Sequence, residues 1–215
     1  MTAIRLIGGM AIVAAIAGGA IVYTNFGAFL PWREATEADR LAAMAGVQAG
    51  QIIAEIGAGT GRFTVAMARH VGESGRVYST ELSAKNRDAI RARADASAVR
   101  TVTIVEGAPR ETNLPDACCD VVFLRNVYHH VHEPDAFAAS IRKAVRPGGR
   151  VVVIDFEPGA LWLHGARPSD TAERRPGHGV ARAEALAEFQ RAGFRVDQEV
   201  PRWGGPMWLL LFRVQ

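Results

Sequence analysis

Two glutamates and the glycines between them set the chemistry open to this chain. Glu55-Ile56-Gly57-Ala58-Gly59-Thr60-Gly61 is a glycine-rich turn with a carboxylate at its entrance. Without side chains, such a turn lets backbone N–H groups reach a ligand just before a helix begins. Glu81 stands twenty residues beyond Gly61, the separation at which a carboxylate accepts both hydroxyls of a ribose. A dinucleotide fingerprint needs a third glycine at position 62, where this chain has Arg62. The pattern therefore points to an adenosine-containing ligand and away from a nicotinamide cofactor.

Strands must carry these residues to one edge. Residues 51–56 form a short apolar run ending in the glycine turn, and 62–71 has helical spacing with Phe63, Ala66, Met67 and His70 on one face. Strands are expected at 76–80, 102–105 and 119–124, with a polar, arginine-rich helix at 83–97. A helix over 134–145, opened by Pro134 and stopped by Pro147-Gly148-Gly149, leads to the strand 150–156, apolar on both faces. A helix over 182–192 precedes strands at 194–200 and 207–214. Alternating strands and helices, with strands apolar on both faces, define a doubly wound α/β fold with a mostly parallel sheet; two closely spaced closing strands give it an antiparallel end.

The chain has 215 residues, 49% hydrophobic and 22% charged, enough for one domain with its own core. Its 25 basic and 22 acidic residues leave a formal charge of +3, too balanced for a nucleic-acid footprint. Lys85 and Lys143 are the only lysines; the arginine-rich basic set reads as compositional bias rather than phosphate recognition. Cys118 and Cys119 are adjacent, so they are expected to be small buried residues and not a disulfide. No metal-ligand spacing is present among the histidines.

Residues 1–33 differ from the remainder, 34–215. No charge falls between Arg5 and Arg33, and the apolar run from Leu6 to Tyr23 is about as long as a bilayer span. Phe26, Phe29, Leu30 and Trp32 extend it with aromatics suited to an interfacial belt. An uncleaved hydrophobic anchor helix is expected; cleavage after Ala15-Ile16-Ala17 is the alternative.

The turn at 55–61, Thr80-Glu81-Leu82, Leu114-Pro115 ahead of Asp120-Val121-Val122, and Arg146-Pro147-Gly148-Gly149-Arg150 together resemble class I S-adenosylmethionine-dependent methyltransferases, over about residues 36–214. The resemblance implies a seven-stranded, Rossmann-like sheet whose last strand is antiparallel, with S-adenosylmethionine across the carboxyl ends of the first strands. It implies that Glu55, Gly57, Ala58, Gly59 and Gly61 form the cofactor turn facing the methionine part, that Glu81 holds the ribose, that Leu82 packs on the adenine, and that Asn126 contacts the methionine moiety. Many relatives carry an aspartate for the adenine amino group where this chain has Gly107-Ala108, which leaves a backbone contact at Ala108.

Methyl transfer needs alignment, exclusion of water and, for some acceptors, removal of a proton. Tyr128, His129 and His130, just beyond the fourth strand, are the catalytic candidates, since histidine suits a general base; Asp155 also ends a strand at that edge, and His132 reads as solvated. Residues 34–45 are expected to cap the cofactor. The insert 158–180, with Ala160-Leu161-Trp162-Leu163, is where acceptor choice is expected. The expected function is a membrane-anchored methyltransferase, catalytic domain in the cytoplasm, acting on a small-molecule or lipid-like acceptor; the alternatives are a non-enzymatic S-adenosylmethionine-binding module and a nicotinamide-dependent reductase.

Overall fold

The computed structural model describes residues 31–159 and 179–214, with the side chains of 31–35 outside the description. The expected anchor and the 160–163 piece of the insert therefore lie outside the described residues. The order of elements is α1 (Pro31–Ala45), β1 (Ile52–Ile56), α2 (Arg62–Val71), β2 (Arg76–Glu81), α3 (Ala84–Ala96), β3 (Val102–Glu106), β4 (Cys119–Arg125), α4 (Pro134–Ala144), β5 (Val145–Phe156), α5 (Arg182–Arg191), β6 (Phe194–Gly204) and β7 (Met207–Val214). Seven strands form one sheet in the order β3-β2-β1-β4-β5-β7-β6. β1 to β5 pair in parallel, and β7 runs antiparallel to both β5 and β6, as the sequence leads one to expect.

The period-2 alternation of strand side chains explains how one sheet carries two cores. Val121 and Phe123 of β4 face a cluster built with α1 and α2, where Leu41, Phe63 and Met67 are buried. Val122 and Leu124 face the opposite cluster, closed by Phe137 and Ile141 of α4 and Phe189 of α5. Phe63 meets Phe123 edge-on, ring centroids 5.6 Å apart, and each such ring contributes roughly 1.5 to 3 kcal/mol of burial.

The structure corrects three expectations. β5 begins at Val145, so Pro147-Gly148-Gly149 is threaded into the strand rather than lying ahead of it. α1 lies along the sheet face, burying Ala38, Leu41, Ala42 and Ala45 against α2, because its apolar residues recur at helical spacing on one side; most of the helix thus packs on the sheet instead of lying over the crevice, and only its start reaches the carboxyl edge. Cys118 and Cys119 are buried as expected but bonded to each other. Strand alternation would send neighbouring side chains to opposite faces, but the chain enters β4 through a turn with Ala117 at φ 45°, and the β4–β5 register shifts between Cys119 and Val121. Both cysteines thus join one core cluster.

Candidate active site

The parallel strands deliver their carboxyl ends to one edge, where β1 and β4 are neighbours although their helices cover opposite faces. This is the topological switch point at which open α/β sheets bind ligands. The glycine turn folds over that edge toward β2: the amides of Gly57 and Ala58 donate to the Thr80 carbonyl at 2.9 and 3.0 Å.

The three glycines have distinct jobs, although all have positive φ. A Cβ on Gly57 would collide with Val127 Cγ2, and one on Gly61 would press on Ile90 of α3 at 3.0 Å; both positions serve close packing. A Cβ on Gly59 would meet nothing within 4 Å, so here the backbone itself borders open space. The Gly59 amide donates to Glu81 Oε2 at 2.8 Å, and Glu81 Oε1 accepts from the Ser83 amide at 3.0 Å. Two amides thus hold the carboxylate at the crevice, and its remaining lone pairs can accept hydroxyls. Leu82, next to it, is 58% exposed, the one large hydrophobic so exposed among the described residues. Gly107 is placed against it, with its amide donating to the Glu81 carbonyl at 3.2 Å, and Ala108 follows.

Glu55 sits below the turn and is buried. Thr64 of α2 donates to Glu55 Oε2 and lies 2.9 Å from the Ser79 hydroxyl. With the Thr64 proton on Glu55, Ser79 is the donor of the second bond. The chain β2–α2–β1 is thereby pinned beneath the glycines. Asn126 follows β4 at φ 55°, exposed, with its amide donating to the Ile154 carbonyl at 2.9 Å. Asparagine is among the few residues besides glycine that adopt this left-handed backbone readily.

The expected catalytic trio divides. Tyr128 points into the core: it is fully buried, packs tilted against Phe189 with centroids 5.1 Å apart, and donates to Glu188 Oε2 at 2.8 Å. It therefore supports the loop and does not face an acceptor, a correction that follows from its aromatic ring finding a better partner below the sheet. His129 is enclosed, its side chain 3% exposed, with Nδ1 2.7 Å from Asp155 Oδ1 and its amide donating to Asp155 Oδ2 at 3.1 Å. Asp155, wholly buried at the end of β5, also accepts the Phe156 amide at 3.0 Å. A carboxylate at Nδ1 fixes the tautomer with N–H toward it and the ring's lone pair on Nε2. His130 is exposed, its ring centroid 4.0 Å from that of His129. Because Val127 packs on Gly57, the segment carrying these histidines stands beside the glycine turn. His132 is exposed, as expected.

Sequence reasoning missed three supports of the edge. Arg87 donates to the Glu81 and Leu82 carbonyls at 3.0 and 2.6 Å, and Arg93 donates to the Thr60 carbonyl at 2.8 Å. Both belong to the arginine-rich helix whose composition reads as bias; their six-residue spacing gives no hint of a shared task. Glu188 is the third, a carboxylate on the buried side of α5.

A cavity of about 420 Å³ lies at the opposite, amino edge, lined by Gly46, Gln51, Asp120, Arg146 and Arg150 among others. Its charges are used internally: Arg146 pairs with Asp120 at 2.7 Å, Asp120 accepts the Ile52 amide at 2.8 Å, and Arg150 donates to the Ala45 carbonyl. The crevice at the carboxyl edge, not this cavity, gathers Glu81, Leu82, Asn126 and the histidines.

Strand order and crevice together define a Rossmann-like α/β fold. Residues 54–153 match the methyltransferase domain family. Over 115 residues the chain is 30% identical to the ubiquinone/menaquinone biosynthesis C-methyltransferase UbiE of Vibrio vulnificus, covering 52% of this chain and 43% of that protein. The chain thus spans less than half the length of that relative. A crystal structure of a SAM-dependent methyltransferase from Aquifex aeolicus superposes with a TM-score of 0.71 at 18% identity, covering 85% of this chain and 92% of that one. The YcgJ protein from Bacillus subtilis superposes with 0.62 at 17% identity, covering 76% and 71%. Residues 54–153 thus form a methyltransferase domain, and the sheet that contains them has the class I fold of the solved S-adenosylmethionine-dependent enzyme.

Proposed function

We propose that this protein transfers a methyl group from S-adenosylmethionine to a small or lipid-like acceptor, and that it does so held to a membrane by its N-terminal segment. The observation that carries the reading is the Gly59–Glu81 pair: an open backbone position and a carboxylate oriented by two amides, beside an exposed Leu82. The three fit an adenosine whose ribose hydroxyls meet Glu81 and whose base lies on Leu82 near Ala108, with the amino-acid end over Gly57, Ala58, Gly59 and Asn126. Glu55 acts from below, through Thr64, by holding the turn in place. When bound, the sulfonium supplies an activated methyl, so the chain's own task is alignment and proton removal.

The exposed imidazole of His130 is the group that takes the acceptor's proton. His129, locked by Asp155, positions it. The enzyme reading is favoured over a cofactor-sensing module by the exposed imidazole of His130 standing next to the His129–Asp155 pair beside the glycine turn. Arg62 in place of glycine disfavours the nicotinamide reading. The Vibrio vulnificus relative is a ubiquinone/menaquinone biosynthesis C-methyltransferase, which fits an apolar acceptor.

Among the described residues no helix is long and apolar enough to cross a membrane; the anchor reading rests on the sequence of residues 6–30. Since the cofactor is made in the cytoplasm, the domain 34–215 belongs on that side. The test is to incubate the full chain with S-adenosylmethionine carrying a labelled methyl group and a membrane extract, then follow label into the lipid phase. Label in the lipid phase supports the reading; label in neither phase overturns it. A C-terminal reporter active only outside the cytoplasm should stay silent.

A further inference from the structure

The direction of α1 ties the apolar N-terminal segment to one particular edge of the fold. Near its middle, Glu37 accepts from Arg125 Nε at 2.7 Å and from Trp203 Nε1 at 2.9 Å. Arg125 is the last residue of β4 and Trp203 lies at the end of β6, so both stand at the carboxyl edge. At the other end of the helix, Arg150 donates to the Ala45 carbonyl, and Arg150 pairs with Val121 near the amino ends of the strands. Eight residues of helix from Glu37 to Ala45 span about 12 Å. The strand from Arg150 to Ile154, partner of Arg125, spans about 13 Å. The two lengths agree, so α1 runs nearly antiparallel to the strands. Pro31, six residues before Glu37, then stands about 9 Å beyond the carboxyl edge, and residues 6–30 join the fold there.

That edge is the one bearing the glycine turn, Leu82, Asn126 and His130. We infer that the crevice opens toward the lipid surface from which the N-terminal segment enters, and that the acceptor is an amphiphile whose apolar tail stays in the bilayer while its reacting head enters the crevice. This rests on the methyl-transfer reading for the chemistry and on the membrane-anchor reading for the orientation. Arg40, stacked over the Trp203 ring at 4.0 Å, and Arg202, both exposed, place cations at the same corner, where anionic headgroups favour them. With the opposite orientation, a membrane-dissolved acceptor would have to leave the bilayer entirely to reach the site.

The orientation is tested on the full chain reconstituted into vesicles of phosphatidylcholine and phosphatidylglycerol. A fluorophore is attached in one sample through Arg202→Cys, at the carboxyl edge, and in another through Glu73→Cys, in the exposed turn before β2 at the amino edge; Cys118 and Cys119 are buried and bonded to each other. Lipids with a nitroxide on the headgroup should quench the label at 202 several-fold more than the label at 73. Equal quenching, stronger quenching at 73, or no association with vesicles overturns the inference. S-adenosylmethionine titrated into the same samples reads the chemistry separately: absent binding with the quenching asymmetry intact defeats the methyl-transfer reading and leaves the orientation standing.

Discussion

The Gly59 amide donates to Glu81 Oε2 at 2.8 Å across the gap between the first two strands. One bond thereby couples the backbone that a ligand must approach to the carboxylate that would hold its ribose. Gly59 at φ 54° with nothing within 4 Å of its Cβ position is the place where a side chain would occupy ligand space rather than protein space. Gly59→Ala is expected to fold, losing about 1 to 2 kcal/mol for its left-handed backbone, and to bind S-adenosylmethionine at least about fivefold more weakly. Gly59→Val, with a branched side chain, should abolish binding while leaving the helical circular dichroism largely intact. Unchanged affinity in either folded variant would make the turn structural only.

Gly57→Ala should behave differently, because its methyl meets Val127. The clash pushes away the loop bearing His129 and His130, so methyl transfer should fall and thermal stability should drop. Gly57→Ala combined with Val127→Ala should recover part of both; a double variant no better than the single would place the strain elsewhere.

Tyr128→Phe removes the hydroxyl that donates to Glu188 inside the core. The expected cost is about 1 to 3 kcal/mol, read as a fall in Tm of about 2 to 4 °C per kcal/mol for a chain of this size. Cofactor affinity should stay within about twofold. A large loss of affinity with unchanged Tm would return Tyr128 to the site.

His130→Ala should lower methyl transfer by about a hundredfold or more, with the S-adenosylmethionine Kd unchanged. Asp155→Asn should also slow transfer, by freeing the orientation of the neighbouring His129, with the S-adenosylmethionine Kd unchanged. Full activity in both variants would leave alignment alone to account for the reaction.

Much of this was legible before any coordinates. The sheet is specified by runs such as 151–154, because a strand covered on both faces is apolar on both, and the turn at 55–61 is specified because its left-handed positions favour glycine. The histidine segment shows the limit. Tyr128, His129 and His130 are consecutive, but a single 3-10 turn sends the first into the core, encloses the second against Asp155 and leaves the third exposed. Sequence gives no sign of that division, which depends on Glu188 and Asp155 arriving from elements tens of residues away. The bond between Cys118 and Cys119 was hidden for a similar reason: it depends on a left-handed residue at 117 and a register shift, not on the spacing of the cysteines.

Calorimetric titration of the full chain with S-adenosylmethionine, in parallel with its Glu81→Ala variant, bears most directly on the central claim. The parent should bind with a Kd in the micromolar range or tighter, about −8 kcal/mol or better, and Glu81→Ala should lose more than about 1 kcal/mol through the missing charge-assisted hydrogen bonds. No binding by the parent, binding of NADH in its place, or equal affinity in the variant would contradict the account.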